Sequence, residues 1–311
     1  MEIRFWGVRG SVATSGAHIA RIGGNTSCVE VTSQGHRLIL DAGTGIRGLG
    51  DAMLREGGAP EALLLWSHLH WDHVQGFPFF GPAWHPAAKL KLMGPGPDGG
   101  RALRDVLHAQ MTPPTFPVPL EAMRGSLTFT DALPEQSFEH GPFRITPFVL
   151  DHPNGCLGYR VDADGRSFVY ATDVEISLAT LTREVARRFE GADALALDAM
   201  YTRDEYKGTH GVSKRGWGHS TNVDAAQVAA CSSSTTIRRT TTSRWRRWPR
   251  RPATTSRRAS PPGRTRRSGS ISPSSPPAEP RPTAPLHRLE VRFRGHALRA
   301  PHAPAQRVPG R

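Results

Sequence analysis

An apolar run, Leu63-Leu64-Leu65-Trp66, gives way at once to Ser67-His68-Leu69-His70-Trp71-Asp72-His73, three imidazoles and a carboxylate within six residues. The run reads as a buried strand and the polar cluster as a loop that carries chemistry. Residues two apart project to the same side of an extended backbone, so His68 and His70 can grip one ion. Asp72 and His73 follow where the chain turns and can reach a second. Neutral imidazole and carboxylate donors suit zinc and its borderline neighbours. The bland alternative is a polar loop bonded to backbone or water, but packing gives no reason to gather these residues after Leu-Leu-Leu-Trp.

Later segments repeat the pattern of an apolar strand ending in a polar group. The strand at 143–150 runs into Asp151-His152-Pro153, and taken with the first cluster His152 is the expected third ligand of the first ion. Ser167-Phe168-Val169-Tyr170-Ala171-Thr172 ends at Asp173, whose two oxygens could each hold one ion of a pair. The competing role for Asp173 is an N-cap of a helix near 178–190, although a cap would sit next to its helix. Ala194-Leu195-Ala196-Leu197 delivers Asp198 in the same way, and His219 precedes a helix that Ser220 or Thr221 would cap.

The rest of the body reads as mixed α and β. Strands are expected at 2–6, 26–32, 37–41, 62–66, 89–93, 126–130 and 143–150, and helices at 45–56 and 101–110. Gly43-Thr44-Gly45-Ile46-Arg47-Gly48 fits a dinucleotide-binding G-x-G-x-x-G, but that fold wants an acid ending the next strand, where this chain has histidines. A tight strand-to-helix turn explains the glycines better. The aromatic segment 74–80 could wall a substrate site or pack between layers, and packing is the commoner fate. The loop at 112–117 is expected over one edge of the cleft.

Charge divides the chain. Residues 231–311 hold 19 arginines, no lysine and two acids, a net of +17 against +13 for all 311 residues, which leaves residues 1–230 at −4. The basic balance therefore says nothing about the surface around the histidines. Three scattered cysteines without C-x-x-C pairing imply neither a disulfide framework nor a thiolate zinc site. With no leader or membrane-spanning run evident, the expectation is a soluble, cytoplasmic protein.

Together with Phe5-Trp6-Gly7-Val8-Arg9-Gly10-Ser11, Gly24-Asn25-Thr26-Ser27-Cys28, Leu38-Ile39-Leu40-Asp41-Ala42-Gly43-Thr44-Gly45 and Gly216-Trp217-Gly218-His219-Ser220-Thr221, the histidine cluster resembles the metallo-β-lactamase superfamily, in the branch near ribonuclease Z and other phosphodiesterases. The likeness covers about residues 1–229. It implies an α+β fold, the four-layer αβ/βα sandwich, with metals where strand ends converge. It implies two divalent ions, zinc first and manganese second. His68, His70 and His152 would hold one, Asp72 and His73 the other, and Asp173 would bridge. Asp72, His219 and Asp198 would form the catalytic group, His219 acting as general acid and Asp198, near Tyr201, steadying it. The implied activity is phosphodiester hydrolysis by a water that the metals activate. Only 20 positions separate His152 from Asp173, too few for the long tRNA-gripping arm of ribonuclease Z. A small phosphodiester or nucleotide-like substrate is therefore favoured over structured nucleic acid, with no membrane partner and self-association left open. The alternatives are hydrolysis of another ester, lactone or thioester, and a catalytically impaired metal-binding protein.

That last alternative arises because the resemblance stops. A Leu/Phe-rich strand ending in the last histidine ligand of the second metal should follow residue 230; instead an Arg/Pro/Ser-rich tail begins, expected to be disordered. Read one base earlier, codons for residues 232–238 admit Leu-Phe-Leu-His-His-Asp-Pro, so a frameshifted translation is preferred to a genuine arginine-rich arm binding nucleic acid or acidic lipid. The chain thus divides into a hydrolase domain at 1–229 and a tail at 230–311.

Overall fold

A computed structural model describes residues 1–17, 19–232 and 289–292. The strands are β1 (Glu2–Gly7), β2 (Cys28–Ser33), β3 (His36–Leu40), β4 (Glu61–Leu65), β5 (Lys89–Pro95), β6 (Ser126–Ala132), β7 (Phe138–His140), β8 (Phe143–Leu150), β9 (Cys156–Ala163), β10 (Arg166–Ala171), β11 (Ala194–Leu197) and β12 (Leu289–Arg292). The helices are α1 (Gly45–Glu56), α2 (Trp71–Val74), α3 (Gly81–Trp84), α4 (Arg101–Gln110), α5 (Arg183–Phe189), α6 (Arg203–Lys207) and α7 (Asn222–Ser232).

The strands form two sheets. One has the order β12-β1-β2-β3-β4-β5-β6, antiparallel as far as β3 and parallel from β3 to β6; the other has the order β11-β10-β9-β8-β7, with β10 and β11 its parallel pair. Period-two alternation sorts the side chains between faces. Leu38, Leu40, Leu63 and Leu65 point between the sheets, where Phe143, Tyr159, Val161 and Phe168 meet them. Ile39, Leu64 and Trp66 point outward onto Ile46, Leu49 and Met53 of α1 and Leu103 and Leu107 of α4. On the opposite outer face Phe148, Val169 and Ala171 pack on Phe189 of α5 and Val228 of α7. Helix, sheet, sheet, helix is the four-layer αβ/βα sandwich expected.

The glycine turn after β3 is a packing device. A Cβ on Gly43 would collide with the carbonyls of Asp72 and Ser27 and the hydroxyl of Thr26, and one on Gly45 with the backbone of Trp6 and Gly7. The aromatic segment also divides as packing predicts: Phe77 and Phe80 are buried in the core and only Phe79 is exposed.

One short segment of the tail is among the described residues. Leu289–Arg292 pairs antiparallel with β1, Ile3 opposite Val291 and Arg4 opposite Glu290. The outer edge of β1 presents unpaired backbone groups that an extended segment satisfies. Helix α7 also runs to Ser232, past the expected boundary at 229. The remaining tail, with its expected disorder and shifted reading frame, lies outside the described residues.

Candidate metal centre

Every residue singled out as a ligand sits where a strand has just ended. β4 leads to His68, His70, Asp72 and His73; β8 to His152; β10 to Asp173. The first of these segments turns into α2, whose N-terminus follows His70 and whose turn carries Asp72 and His73. The two sheets meet along this edge, so the three segments converge. His68, His70, His152 and Asp173 offer ligand atoms all within 4.8 Å of one another, as do Asp72, His73 and Asp173.

Asp173 stands between the two groups. Its Oδ1 lies 3.4 Å from Nε2 of His73, and its Oδ2 lies 3.5 Å from Nε2 of His68 and 3.8 Å from Nε2 of His152. One oxygen thus faces each group, and the backbone adopts φ 48° to place it, a left-handed conformation that non-glycine residues rarely take. The capping alternative fails, because the Thr182 hydroxyl caps α5 by accepting from the Val185 amide.

Each imidazole is oriented through the nitrogen it turns away from the centre. His73 Nδ1 lies 2.7 Å from Asp41 Oδ2, His152 Nδ1 lies 2.8 Å from the Gly218 carbonyl, and His68 Nδ1 lies 3.0 Å from the Ser67 hydroxyl. His70 turns Nε2 to Asn154 Oδ1 at 3.2 Å and Nδ1 toward His152. Such outer contacts fix ring orientation and tautomer. Asp72 is held as well, its Oδ2 accepting from the Ser11 amide at 2.7 Å.

The residues fit a divalent cation. Nε2 of both His68 and His73 is buried without a hydrogen-bond partner, and an orphaned buried nitrogen is costly unless something fills its place. Burial and the neighbouring imidazoles push His68 down to about 2, so it stays neutral and keeps a lone pair to donate. Burial also lowers His152. For His73 burial is outweighed by the Asp41 and Asp173 carboxylates, which raise it. The carboxylates that favour a proton there would favour a metal cation for the same reason. Asp41, Asp72, Asp173 and Asp198 are all buried, and closely grouped buried carboxylates call for compensating positive charge.

His219 stands beside this cluster. Its Nδ1 lies 2.7 Å from Asp198 Oδ2, its ring packs 5.2 Å from that of His152 and 5.9 Å from that of Tyr201, and it forms a third close group with Asp173 and Asp198. Burial alone would lower His219, but Asp198 raises it. Asp198 is itself pushed up by burial, against the pull of His219. Thr221 caps α7 by accepting from Asp224 at 3.1 Å, while Ser220 turns back to accept from the Ile176 amide.

Three contributors were not singled out by sequence reasoning. Asp41 accepts from the Ser67 amide, the Ser67 hydroxyl and Tyr170 besides meeting His73; its position at a strand end, shared with Asp173 and Asp198, was the available signal. Ser11 reaches Asp72 from a loop 61 residues earlier. Glu175 anchors the 216–218 turn by accepting from Tyr206 and the amides of Gly216 and Gly218.

A two-sheet sandwich whose joined edge gathers four imidazoles and two carboxylates defines a metallo-hydrolase by class. The family model described as "Beta-lactamase superfamily domain" matches residues 36–238, and the chain belongs to that family. Among solved structures, the metallo-β-lactamase fold protein YhfI from Bacillus subtilis is 19% identical with a TM-score of 0.54, covering 73% of this chain and 80% of its own. A diphosphatase of the PhnP family is 19% identical with a TM-score of 0.51, covering 74% of this chain and 82% of its own. The short form of human tRNase Z is 18% identical with a TM-score of 0.52, covering 75% of this chain and 89% of its own. A comparison with curated proteins returned no match. Among the described residues no helix is long and apolar enough to cross a membrane.

Proposed function

We propose that the protein hydrolyses small phosphodiesters with two divalent metal ions, zinc or manganese. His68, His70, His152 and Asp173 would hold one ion and Asp72, His73 and Asp173 the other. When bound, such ions lower the pKa of water and offset negative charge on the attacked group. Asp41 holds His73 with Nε2 facing the centre, and Ser11 holds Asp72 in place. The observation that carries the diester reading is His219. Asp198 engages its Nδ1 and favours its protonated form, which leaves Nε2 to hand a proton to an alkoxide leaving group. Overall, the oxygen of water bonds to phosphorus, the P–O bond to the leaving alcohol breaks, and the leaving oxygen takes the His219 proton, which the proton released by water restores. A thioester, whose leaving thiolate is stable, has less need of this acid. A diphosphatase of the PhnP family and a tRNase Z among the structural neighbours are in keeping with this reading.

The test is a panel of bis-p-nitrophenyl phosphate, a cyclic nucleotide and a lactone with added zinc or manganese. Turnover of the diesters at well above the lactone rate is expected; turnover of the lactone alone would replace the proposal with the ester reading.

A further inference from the structure

A cavity of about 390 Å³ opens beside the metal centre, with His152 and His219 on its wall. That volume suits a small molecule. Because His219 faces it, the cavity lies on the side from which a leaving oxygen would take its proton. Its lining is one-sided in charge. Asp151, Glu175 and Asp224 contribute carboxylates and Ser177, Thr180 and Tyr206 hydroxyls, while no lysine or arginine lines it among the described residues. A phosphate or carboxylate placed there would meet three carboxylates, offset only by the His219 imidazole on the wall and by Arg203, which lies outside the lining 3.7 Å from Asp224, whereas hydroxyl or amino donors would find acceptors in these carboxylates.

Resting on the phosphodiesterase reading, we infer that this cavity receives the leaving alcohol and selects neutral or cationic, donor-rich alcohols up to the size of a nucleoside, rejecting those that carry a second anionic group. Selectivity of this kind comes as much from repulsion of the wrong group as from attraction of the right one. Asp151 is the most useful handle: its side chain is exposed at the cavity, in contrast to Glu175, which anchors the 216–218 turn.

The experiment compares kcat/KM for a dinucleoside monophosphate, whose leaving group is a neutral nucleoside, with that for the same diester bearing a terminal phosphate on the leaving nucleoside. Bis-p-nitrophenyl phosphate reports turnover without a donor-rich or charged leaving group. The wild-type chain should prefer the neutral leaving group by about tenfold or more. Asp151→Lys, and independently Thr180→Lys, should shrink that ratio by supplying a cation. Equal rates on the two nucleotide diesters, or a ratio that neither substitution moves, would overturn the inference while bis-p-nitrophenyl phosphate turnover preserves the phosphodiesterase reading. Failure to cleave any diester would overturn both.

Discussion

The Asp41 carboxylate lies 2.7 Å from Nδ1 of His73, and both side chains are fully buried. Asp41 adopts φ 61° to end β3 in this way, and the contact leaves His73 one nitrogen, Nε2, for the centre. Asp41→Asn would remove the charge that sets the tautomer while keeping the volume. Metal affinity is expected to fall roughly 10- to 100-fold, as when similar outer contacts of metal-binding histidines are lost. Competition against a graded chelator checks it; unchanged affinity in a folded variant would show that Asp41 serves packing alone.

His219→Ala should lower kcat on phosphodiesters by about 10²- to 10⁴-fold, the usual share of a positioned proton donor. Metal content should hold, because both ligand groups remain. Loss of metal with activity would reassign His219 as a ligand.

Asp198→Asn gives a prediction with a sign. Asp198 raises the pKa of His219 against the lowering effect of burial. Without that carboxylate the raising influence on His219 is smaller, so His219 loses its proton at lower pH. The basic limb of the pH–kcat profile should move toward acid, and an unmoved limb would exclude His219 as its origin.

The described residues give one metal position four donors, His68, His70, His152 and Asp173, and the other three, Asp72, His73 and Asp173. Chelator titration followed by elemental analysis should therefore remove one equivalent of metal at chelator strengths about tenfold below those needed for the second. Two equivalents leaving together would show that the second position is as fully built as the first.

Gly43→Ala would push a methyl group into the carbonyls of Asp72 and Ser27. Overpacking at such a site costs about 1–3 kcal/mol, and about 2–4 °C of melting temperature accompanies each kcal/mol in a domain of this size. Thermal unfolding of the metal-free protein measures it.

Much of this arrangement was legible because its signals are local. The apolar runs 62–66 and 143–150 and the helices 45–56 and 101–110 coincide with observed elements to within a residue or so. His68 to His73 declare themselves because chemistry alone explains that spacing. Long-range relationships carry weaker marks. The pairing of Asp41 with His73 joins residues 32 apart, and Ser11 holds Asp72 through its backbone amide, a role that no side chain marks. β9 buries Leu157, Tyr159, Val161 and Ala163 on one face, but Gly158 and the turn at Asn154-Gly155 obscure that alternation. The pairing of 289–292 with β1 depends on an open sheet edge elsewhere, which no local pattern announces.

Anomalous diffraction from crystals of the zinc-loaded protein, recorded across the zinc edge, tests the central claim most directly. The account predicts a peak about 2.0–2.2 Å from Nε2 of His68, Nδ1 of His70, Nε2 of His152 and an oxygen of Asp173. It predicts a second, weaker peak between Asp72, His73 and the other Asp173 oxygen. Zinc bound elsewhere, with the His68–His73 segment and Asp173 sharing no ion, would contradict it.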